Sequence, residues 1–143
     1  MPGPFRYFDA SALVKRYVHE VESPAVNRWL GESSSATCRL SEAEIAATLA
    51  RKLRDHELSS ATHKQKIALL NADLVSMRVI EMSPAIFVGV NAVVERYPLR
   101  AGDALHLAAA LILRDVLGEE LEFVCYDTRL RRAAQAEGLR VLP

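Results

Sequence analysis

The chain has 143 residues, of which 50% are hydrophobic, and this favours one folded domain with a substantial core over a disordered chain. Lysine plus arginine and aspartate plus glutamate each total 18, so the formal net charge is zero. This balance argues against a protein that coats polyanions with its whole surface, although a local basic patch would still permit contact with nucleic acid.

The two cysteines and the N-terminus bear on where the protein works. Cys38 and Cys125 each lie in a short apolar run without a CxxC motif, which predicts two buried free thiols in a reducing compartment and no zinc site. The first residues lack the basic and apolar regions of a signal peptide. The longest apolar run, residues 104–113, is shorter than the roughly 20 residues that span a membrane. We therefore expect a cytoplasmic protein without membrane contact.

Short apolar runs alternate with helical patterns along the whole chain. Strands are predicted at residues 5–8, 36–39, 77–82, 122–126 and 139–142. Helices are predicted at residues 12–17, 25–30, 41–54, 59–75, 85–96, 103–116 and 128–137. This alternation predicts an α/β fold, in which a mainly parallel sheet of about five short strands carries helices on both faces. No repeat or linker divides residues 1–143, so we expect a single domain.

Four acidic residues stand at boundaries between the predicted elements. Asp9 and Asp127 each follow a strand, Asp103 opens the long apolar helix, and Glu44 lies three residues after Ser41 at the start of another helix. Each acid also has a purely structural explanation. The three aspartates suit helix N-caps, and Ser41 with Glu44 matches the S-x-x-E capping box.

The common location of these acids favours a cation site over four separate caps. The carboxyl ends of parallel strands meet at one edge of a sheet, where open α/β proteins bind their ligands. Two unit charges about 4 Å apart repel by roughly 4 kcal/mol at an effective dielectric constant near 20, so converging carboxylates destabilise a fold that holds no cation. Mg²⁺ and Mn²⁺ prefer oxygen ligands and support phosphoryl chemistry on nucleic acids. We therefore expect the four carboxylates to hold Mg²⁺ or Mn²⁺.

Four segments, in this order, resemble the PIN-domain ribonucleases, and most closely the VapC-type toxins of toxin–antitoxin pairs. They are FDASALVK (8–15), SEAEIA (41–46), RAGDALHLA (100–108) and CYDTRL (125–130). The resemblance extends over essentially the whole chain and implies a three-layer α/β/α fold. It also implies metal-dependent endonucleolytic cleavage of RNA, a cognate antitoxin that covers the site, a toxin homodimer and a toxin–antitoxin hetero-oligomer. The apolar helix around residues 86–94 suits such a partner surface.

Carried over to this sequence, the acidic quartet of the family corresponds to Asp9, Glu44, Asp103 and Asp127 as catalytic residues. The resemblance implies that Asp9, Asp103 and Asp127 are the main metal ligands. It leaves Glu44 as a direct ligand, a water-mediated ligand or a base. Glu44 is preferred to Glu42 because the family follows this acid with an apolar residue, here isoleucine. We interpret Glu42 as a solvated first-turn charge that the helix dipole favours.

Polar neighbours of the quartet have two interpretations each. Ser11 and Thr128 suit either support of a carboxylate or of metal-bound water, or a local hydrogen bond at a helix start. Lys15 and Arg129 suit either contact with RNA phosphates or ordinary solvated helix faces. His106 lies among apolar neighbours, which favours a packed, hydrogen-bonded histidine over a metal ligand.

A non-catalytic PIN-like module is the alternative to the ribonuclease. Such a module would bind RNA or protein without metal-dependent cleavage. The complete acidic quartet argues against it, because a scaffold gains nothing from a cluster of carboxylates that repel one another.

Overall fold

The structure, a computed structural model, describes residues 3–143 and is organised around a five-stranded sheet. The strands are β1 (Phe5–Phe8), β2 (Ser34–Cys38), β3 (Arg78–Ile80), β4 (Leu121–Val124) and β5 (Arg140–Leu142). Their order across the sheet is β3-β2-β1-β4-β5, and every neighbouring pair is parallel. On the central strand, Tyr7 lies opposite Ala36 of β2 and Phe123 of β4. The predicted parallel sheet of about five short strands is confirmed.

Seven α-helices connect the strands within residues 3–143. They are α1 (Ala10–Leu13), α2 (Ser23–Gly31), α3 (Leu40–Arg54), α4 (Ser60–Ser76), α5 (Pro84–Arg96), α6 (Ala101–Leu117) and α7 (Thr128–Ala136). A 3-10 turn over Val14–Arg16 continues α1, so the first helix begins earlier and ends more tightly than predicted. The other helices agree with the prediction to within a few residues.

Alternate side chains of the strands supply a separate core on each face of the sheet. Tyr7 and Phe123 are buried on one face, where they pack with residues of α5, α6 and α7. Phe8 and Val124 are buried on the other face with residues of α1, α2, α3 and α4. This alternation follows from the two-residue repeat of a β-strand. The predicted three-layer α/β/α arrangement is therefore confirmed.

The strand order places a switch point at the carboxyl edge between β1 and β4. From β1 the chain proceeds outward to β2 and β3, and then returns through α5 and α6 to β4 on the opposite side of β1. Where two adjacent strands have diverging connections, a crevice opens at their carboxyl ends. Asp9 directly follows β1 and Asp127 follows β4, so this topology brings two of the predicted site residues to the crevice.

Two of the structural explanations offered for the acids are wrong. Helix α3 begins one residue before Ser41, and the Ser41 hydroxyl contacts Thr37 Oγ1 at 2.7 Å instead of capping the helix. Glu44 therefore lies in the second turn, where it closes no capping box. Helix α6 begins two residues before Asp103, which places this acid inside the first turn and not at the N-cap. Acids are favoured in both kinds of position, so residue type alone did not distinguish them.

Two other features of the sequence have a direct structural counterpart. Cys38 and Cys125 are buried free thiols, as predicted. Among the helices that the structure describes, none is long and apolar enough to cross a membrane.

Candidate active site

Asp9 is the most deeply buried acid at the carboxyl edge. It is 2% exposed, and it caps α1 by accepting a hydrogen bond from the Ala12 backbone N–H at 2.9 Å. The Ser11 hydroxyl lies 2.9 and 2.8 Å from the two oxygens of the same carboxylate and donates to it. Burial raises the pKa of Asp9 from 3.8 to about 6. His106 and these hydrogen bonds oppose the rise, and the charge of Asp103 adds to it. The N-cap interpretation is confirmed, but it does not remove the electrostatic cost of this carboxylate.

Asp103 lies in the first turn of α6, close to the other acids. Burial raises the pKa of Asp103 above its ordinary value, and the charges of Asp127 and Glu44 raise it further. His106 and, to a smaller extent, the Arg100 guanidinium oppose this effect and lower the pKa. The charge of Asp103 in turn raises the pKa of Asp9, so Asp103 is electrostatically coupled to the buried acid as well.

Asp127 is the N-cap of α7, on the other side of the crevice. Its carboxylate accepts a hydrogen bond from the Leu130 backbone N–H at 2.9 Å, so this predicted cap is confirmed as well. Asp127 and Asp103 line one open cavity of about 330 Å³ together with Thr128 and Arg129. The cavity is wide enough for a phosphate group and is bordered by both signs of charge.

Glu44 reaches the same edge from the second turn of α3. Its side chain is 43% exposed, and its Oε1 atom lies 2.9 Å from Nε2 of His106. On its other side, the His106 ring contacts the Tyr7 hydroxyl through Nδ1 at 2.8 Å. Glu42 instead pairs with Arg39 at 2.8 Å on the helix surface. The geometry therefore connects Glu44, and not Glu42, to α6 through His106, and the charge of Glu44 acts on Asp103. Glu44 and Ser11 line a separate small cavity from the one that Asp103 and Asp127 line.

The four carboxylates suit a hard divalent cation in donor type and in charge. All offer oxygen ligands. The charge of Asp103 raises the pKa of Asp9, and the charges of Asp127 and Glu44 raise the pKa of Asp103, an effect that a bound cation would oppose. The four carboxylates do not form a complete ligand set. Within residues 3–143, no three His, Cys, Asp or Glu side chains are grouped closely enough to hold a metal ion. Binding a cation directly would therefore require these side chains to move toward it.

The other predicted site residues differ in how closely they approach the acids. Ser11 contacts Asp9 directly, whereas Thr128 and Arg129 line the cavity at the start of α7. Lys15 is 9% exposed, and its amine forms ion pairs with two glutamates and lies 4.8 Å from the centre of the Tyr126 ring. These contacts give Lys15 a structural role in holding the segment after α1, and contact with RNA stays a prediction.

The sequence patterns indicated no role at the site for Tyr7 or Arg100. Tyr7 lies on β1, two residues before Asp9, the residue that caps α1. Arg100 precedes Asp103 by three residues and borders the cavity. Both residues lie two or three positions before a predicted acid, and this proximity in the sequence could have indicated them. The partner of Tyr7, His106, is 99 residues away in the chain, so their contact could not be predicted.

The fold and the crevice together define an α/β protein with an acidic site at the switch point of a parallel sheet. The family model for the PIN domain matches residues 6–136. The chain therefore belongs to the PIN domain family, and its arrangement of helices around five parallel strands is a PIN fold.

Curated relatives and solved structures agree with this assignment. Ribonuclease VapC45 of Mycobacterium tuberculosis is 31% identical over 141 residues, which cover 98% of this chain and 96% of the relative. Ribonuclease VapC46 of the same species is 35% identical over 139 residues, or 95% of each chain. A toxin–antitoxin complex from Klebsiella pneumoniae has a TM-score of 0.67 at 19% identity, and FitAcB from Neisseria gonorrhoeae a TM-score of 0.71 at 14% identity, each over 96% of both chains. At these identities the solved structures support the fold alone.

Proposed function

We propose that this protein is a metal-dependent endoribonuclease that acts as the toxin of a toxin–antitoxin pair. The observation that carries the proposal is the electrostatic coupling of the four acids at the carboxyl edge. Burial raises the pKa values of Asp9 and Asp103, the charge of Asp103 raises the pKa of Asp9, and the charges of Asp127 and Glu44 raise the pKa of Asp103. This repulsion lowers the stability of the folded protein when no cation is bound, whereas a bound cation would compensate it. Acids clustered in this way are therefore typical of a functional site. The names of the curated relatives, all ribonucleases, favour RNA as the substrate.

Each acid has a separate task in this proposal. Asp9, Asp103 and Asp127 would hold Mg²⁺ or Mn²⁺, with Ser11 orienting the Asp9 carboxylate through the hydrogen bonds described above. A divalent cation in this crevice supplies positive charge that offsets the negative charge developing on a phosphodiester during hydrolysis. Glu44, exposed to solvent and held by a neutral donor, accepts the proton that the attacking water loses.

Two guanidinium groups give the crevice an attraction for the RNA backbone. Arg100 and Arg129 border the cavity that Asp103 and Asp127 line, and both arginines are exposed. An arginine binds a phosphate through two parallel hydrogen bonds, which favours one orientation of the backbone over the acids. Thr128 offers a hydroxyl at the same wall. This local arrangement of charge reconciles binding of a polyanion with a net charge of zero.

The proposed partners follow from the toxin assignment and from helix α5. Solved neighbours include toxin–antitoxin complexes, so we expect a cognate antitoxin that covers the acidic crevice and forms a hetero-oligomer with the toxin. Helix α5 exposes Phe87 by 50%, Val88 by 71% and Val94 by 40%. This apolar strip suits the contact between two toxin copies in a homodimer. We expect the protein to act in the cytoplasm, where its RNA substrates are.

The test compares the wild type with Asp103→Asn and with Asp115→Asn, a matched control near the other end of the same helix. Each purified protein is incubated with structured RNAs in Mg²⁺, in Mn²⁺ and in EDTA, and fluorescence anisotropy measures RNA binding separately. We expect the wild type and Asp115→Asn to cleave only with a divalent metal, and Asp103→Asn to bind RNA without cleaving it. Cleavage in EDTA, or undiminished cleavage by Asp103→Asn, would refute the proposal.

One observation favours the non-catalytic alternative. Because no three potential ligands are grouped for metal binding within residues 3–143, an RNA- or protein-binding module that lacks catalysis also agrees with the geometry. That module would bind RNA equally well in EDTA and in Mn²⁺, and no metal would produce cleavage. The same assay therefore separates the two candidates.

A further inference from the structure

A chain of three polar side chains connects the interior of the fold to the acidic crevice. Tyr7 lies on β1 with its side chain completely buried, and its hydroxyl is 2.8 Å from Nδ1 of His106. His106 is 2% exposed and lies one turn after Asp103 on α6. Its Nε2 atom is 2.9 Å from Oε1 of Glu44 on α3. Elements from both faces of the sheet thus meet through a single imidazole ring.

The surroundings of the ring determine which of its nitrogens carries the hydrogen. The buried Tyr7 hydroxyl needs an acceptor, and Nδ1 is the acceptor within reach, so Nδ1 must be free of hydrogen. The carboxylate of Glu44 accepts and does not donate, so Nε2 must carry the hydrogen. The opposite tautomer would leave the Tyr7 hydroxyl without an acceptor in the core and would set a nitrogen lone pair against a carboxylate oxygen. Both contacts therefore select the same neutral tautomer.

Glu44 depends on this contact for its position. Its side chain is 43% exposed, and among the described residues His106 is the partner of its carboxylate. Free rotation would carry the carboxylate away from the crevice into solvent. A neutral N–H donor orients the carboxylate without cancelling its charge, which an arginine or a lysine would do. A proton acceptor needs both properties.

We propose that His106, fixed by Tyr7 as the neutral Nε2–H tautomer, is a positioning residue that holds the Glu44 carboxylate in place for proton transfer. The proposal rests on the nuclease function proposed above. His106 touches neither RNA nor the reacting atoms, and it acts through Glu44. Loss of the contact should therefore lower kcat and leave KM for RNA unchanged, since neither arginine at the cavity is affected.

Two amide substitutions separate the two ring contacts. In His106→Gln the amide N–H₂ reaches the position of Nε2 and restores a donor to Glu44. In His106→Asn the shorter side chain keeps an acceptor for the Tyr7 hydroxyl but presents nothing to Glu44. We expect His106→Asn to lower kcat by about tenfold or more, the effect of losing one hydrogen bond to a charged group, and His106→Gln to retain kcat within about threefold of the wild type. Equal losses in the two variants, or a loss confined to KM, would refute the positioning role.

Nitrogen NMR of the wild type tests the tautomer without any activity measurement. Long-range proton–nitrogen correlation spectra of protein labelled with ¹⁵N-histidine should show a hydrogen-free Nδ1 and a protonated Nε2 for His106. Tyr7→Phe should keep a protonated Nε2, because the Glu44 carboxylate still requires a donor there, whereas Tyr7→Phe combined with Glu44→Ala removes both contacts and should give a mixture of both tautomers. A hydrogen on Nδ1 in the wild type would overturn the assignment.

The two measurements also keep this inference separate from the proposed function. A wild type that cleaves no RNA but has the expected nitrogen signals would refute the nuclease and leave the tautomer assignment standing. An active wild type with equally impaired His106→Asn and His106→Gln variants would refute the positioning role and leave the nuclease standing.

Discussion

Replacing Asp9 by asparagine tests the buried charge on which the candidate site depends. The asparagine keeps a side-chain oxygen to accept the Ala12 N–H, so α1 keeps its cap, and its amide donates to the Ser11 hydroxyl. The substitution therefore removes the negative charge with little change in packing. Because the cost of that charge disappears, we expect metal-free Asp9→Asn to be more stable than the metal-free wild type.

The size of this effect follows from the pKa of Asp9. In the folded protein Asp9 binds a proton up to a pH of about 6, whereas the unfolded chain releases it near 3.8. Between these values the folded state holds more protons, so the free energy of unfolding falls as the pH rises through this window. The penalty is about 3 kcal/mol at about pH 7.5 and about 1 kcal/mol at about pH 4.5. At the higher pH, Asp9→Asn should raise Tm by about 10 °C.

Thermal unfolding followed by circular dichroism in EDTA measures this difference at the two pH values. Asp115→Asn is the matched control, because its carboxylate is exposed and should give no pH-dependent gain. Added Mg²⁺ or Mn²⁺ should then stabilise the wild type by about 2.7 kcal/mol at 100 times the dissociation constant and should have a smaller effect on Asp9→Asn. If Asp9→Asn were less stable than the wild type by the same amount at both pH values, Asp9 would carry no electrostatic penalty and the reasoning would fail.

Three further substitutions test the other parts of the proposed mechanism. Glu44→Gln should lower kcat by about 100-fold or more as a proton acceptor is lost, whereas Glu42→Gln should leave kcat within about twofold in the same RNA cleavage assay; equal effects would contradict the choice of Glu44. Arg129→Gln should weaken RNA binding, and the slope of log K against log salt concentration, measured by anisotropy, should become shallower by about one. Arg51→Gln on the surface of α3 serves as control, and an unchanged slope for Arg129→Gln would exclude Arg129 from the RNA interface. Phe87→Glu should convert a dimer into monomers in light scattering, and a variant that stays dimeric would place the interface elsewhere.

The fold was predictable from the sequence because its signals are local. Aromatic and β-branched runs ended at turn or polar residues, and the alternation of strands with helices requires parallel pairing with helices on both faces. The order of the strands was not accessible from these patterns, since it depends on which side of β1 the chain returns to. The convergence of Asp9 and Asp127 was nevertheless predictable, because both follow strands and parallel strands end at the same edge.

The site was only partly predictable because its remaining contacts are long-range. The S-x-x-E pattern predicted that Glu44 closes a capping box, but His106, 62 residues away, engages its carboxylate. Similarly, Lys15 suited either contact with RNA or a solvated helix face. The solvated face is wrong, because Lys15 is buried and two nearby glutamates on the following loop form ion pairs with it. In both cases the local pattern marked the residue as noteworthy, but its interaction partner depends on the folded structure.

The outermost strands of the sheet limit the ways in which copies of this protein assemble. β3 and β5 have three residues each and begin with the exposed arginines Arg78 and Arg140. Short margins that carry cationic side chains offer a poor template for an additional strand, so a continuous intermolecular sheet is disfavoured. These edges therefore favour oligomers that contact through helical faces. They also disfavour the edge-to-edge association of partially unfolded molecules into fibrils.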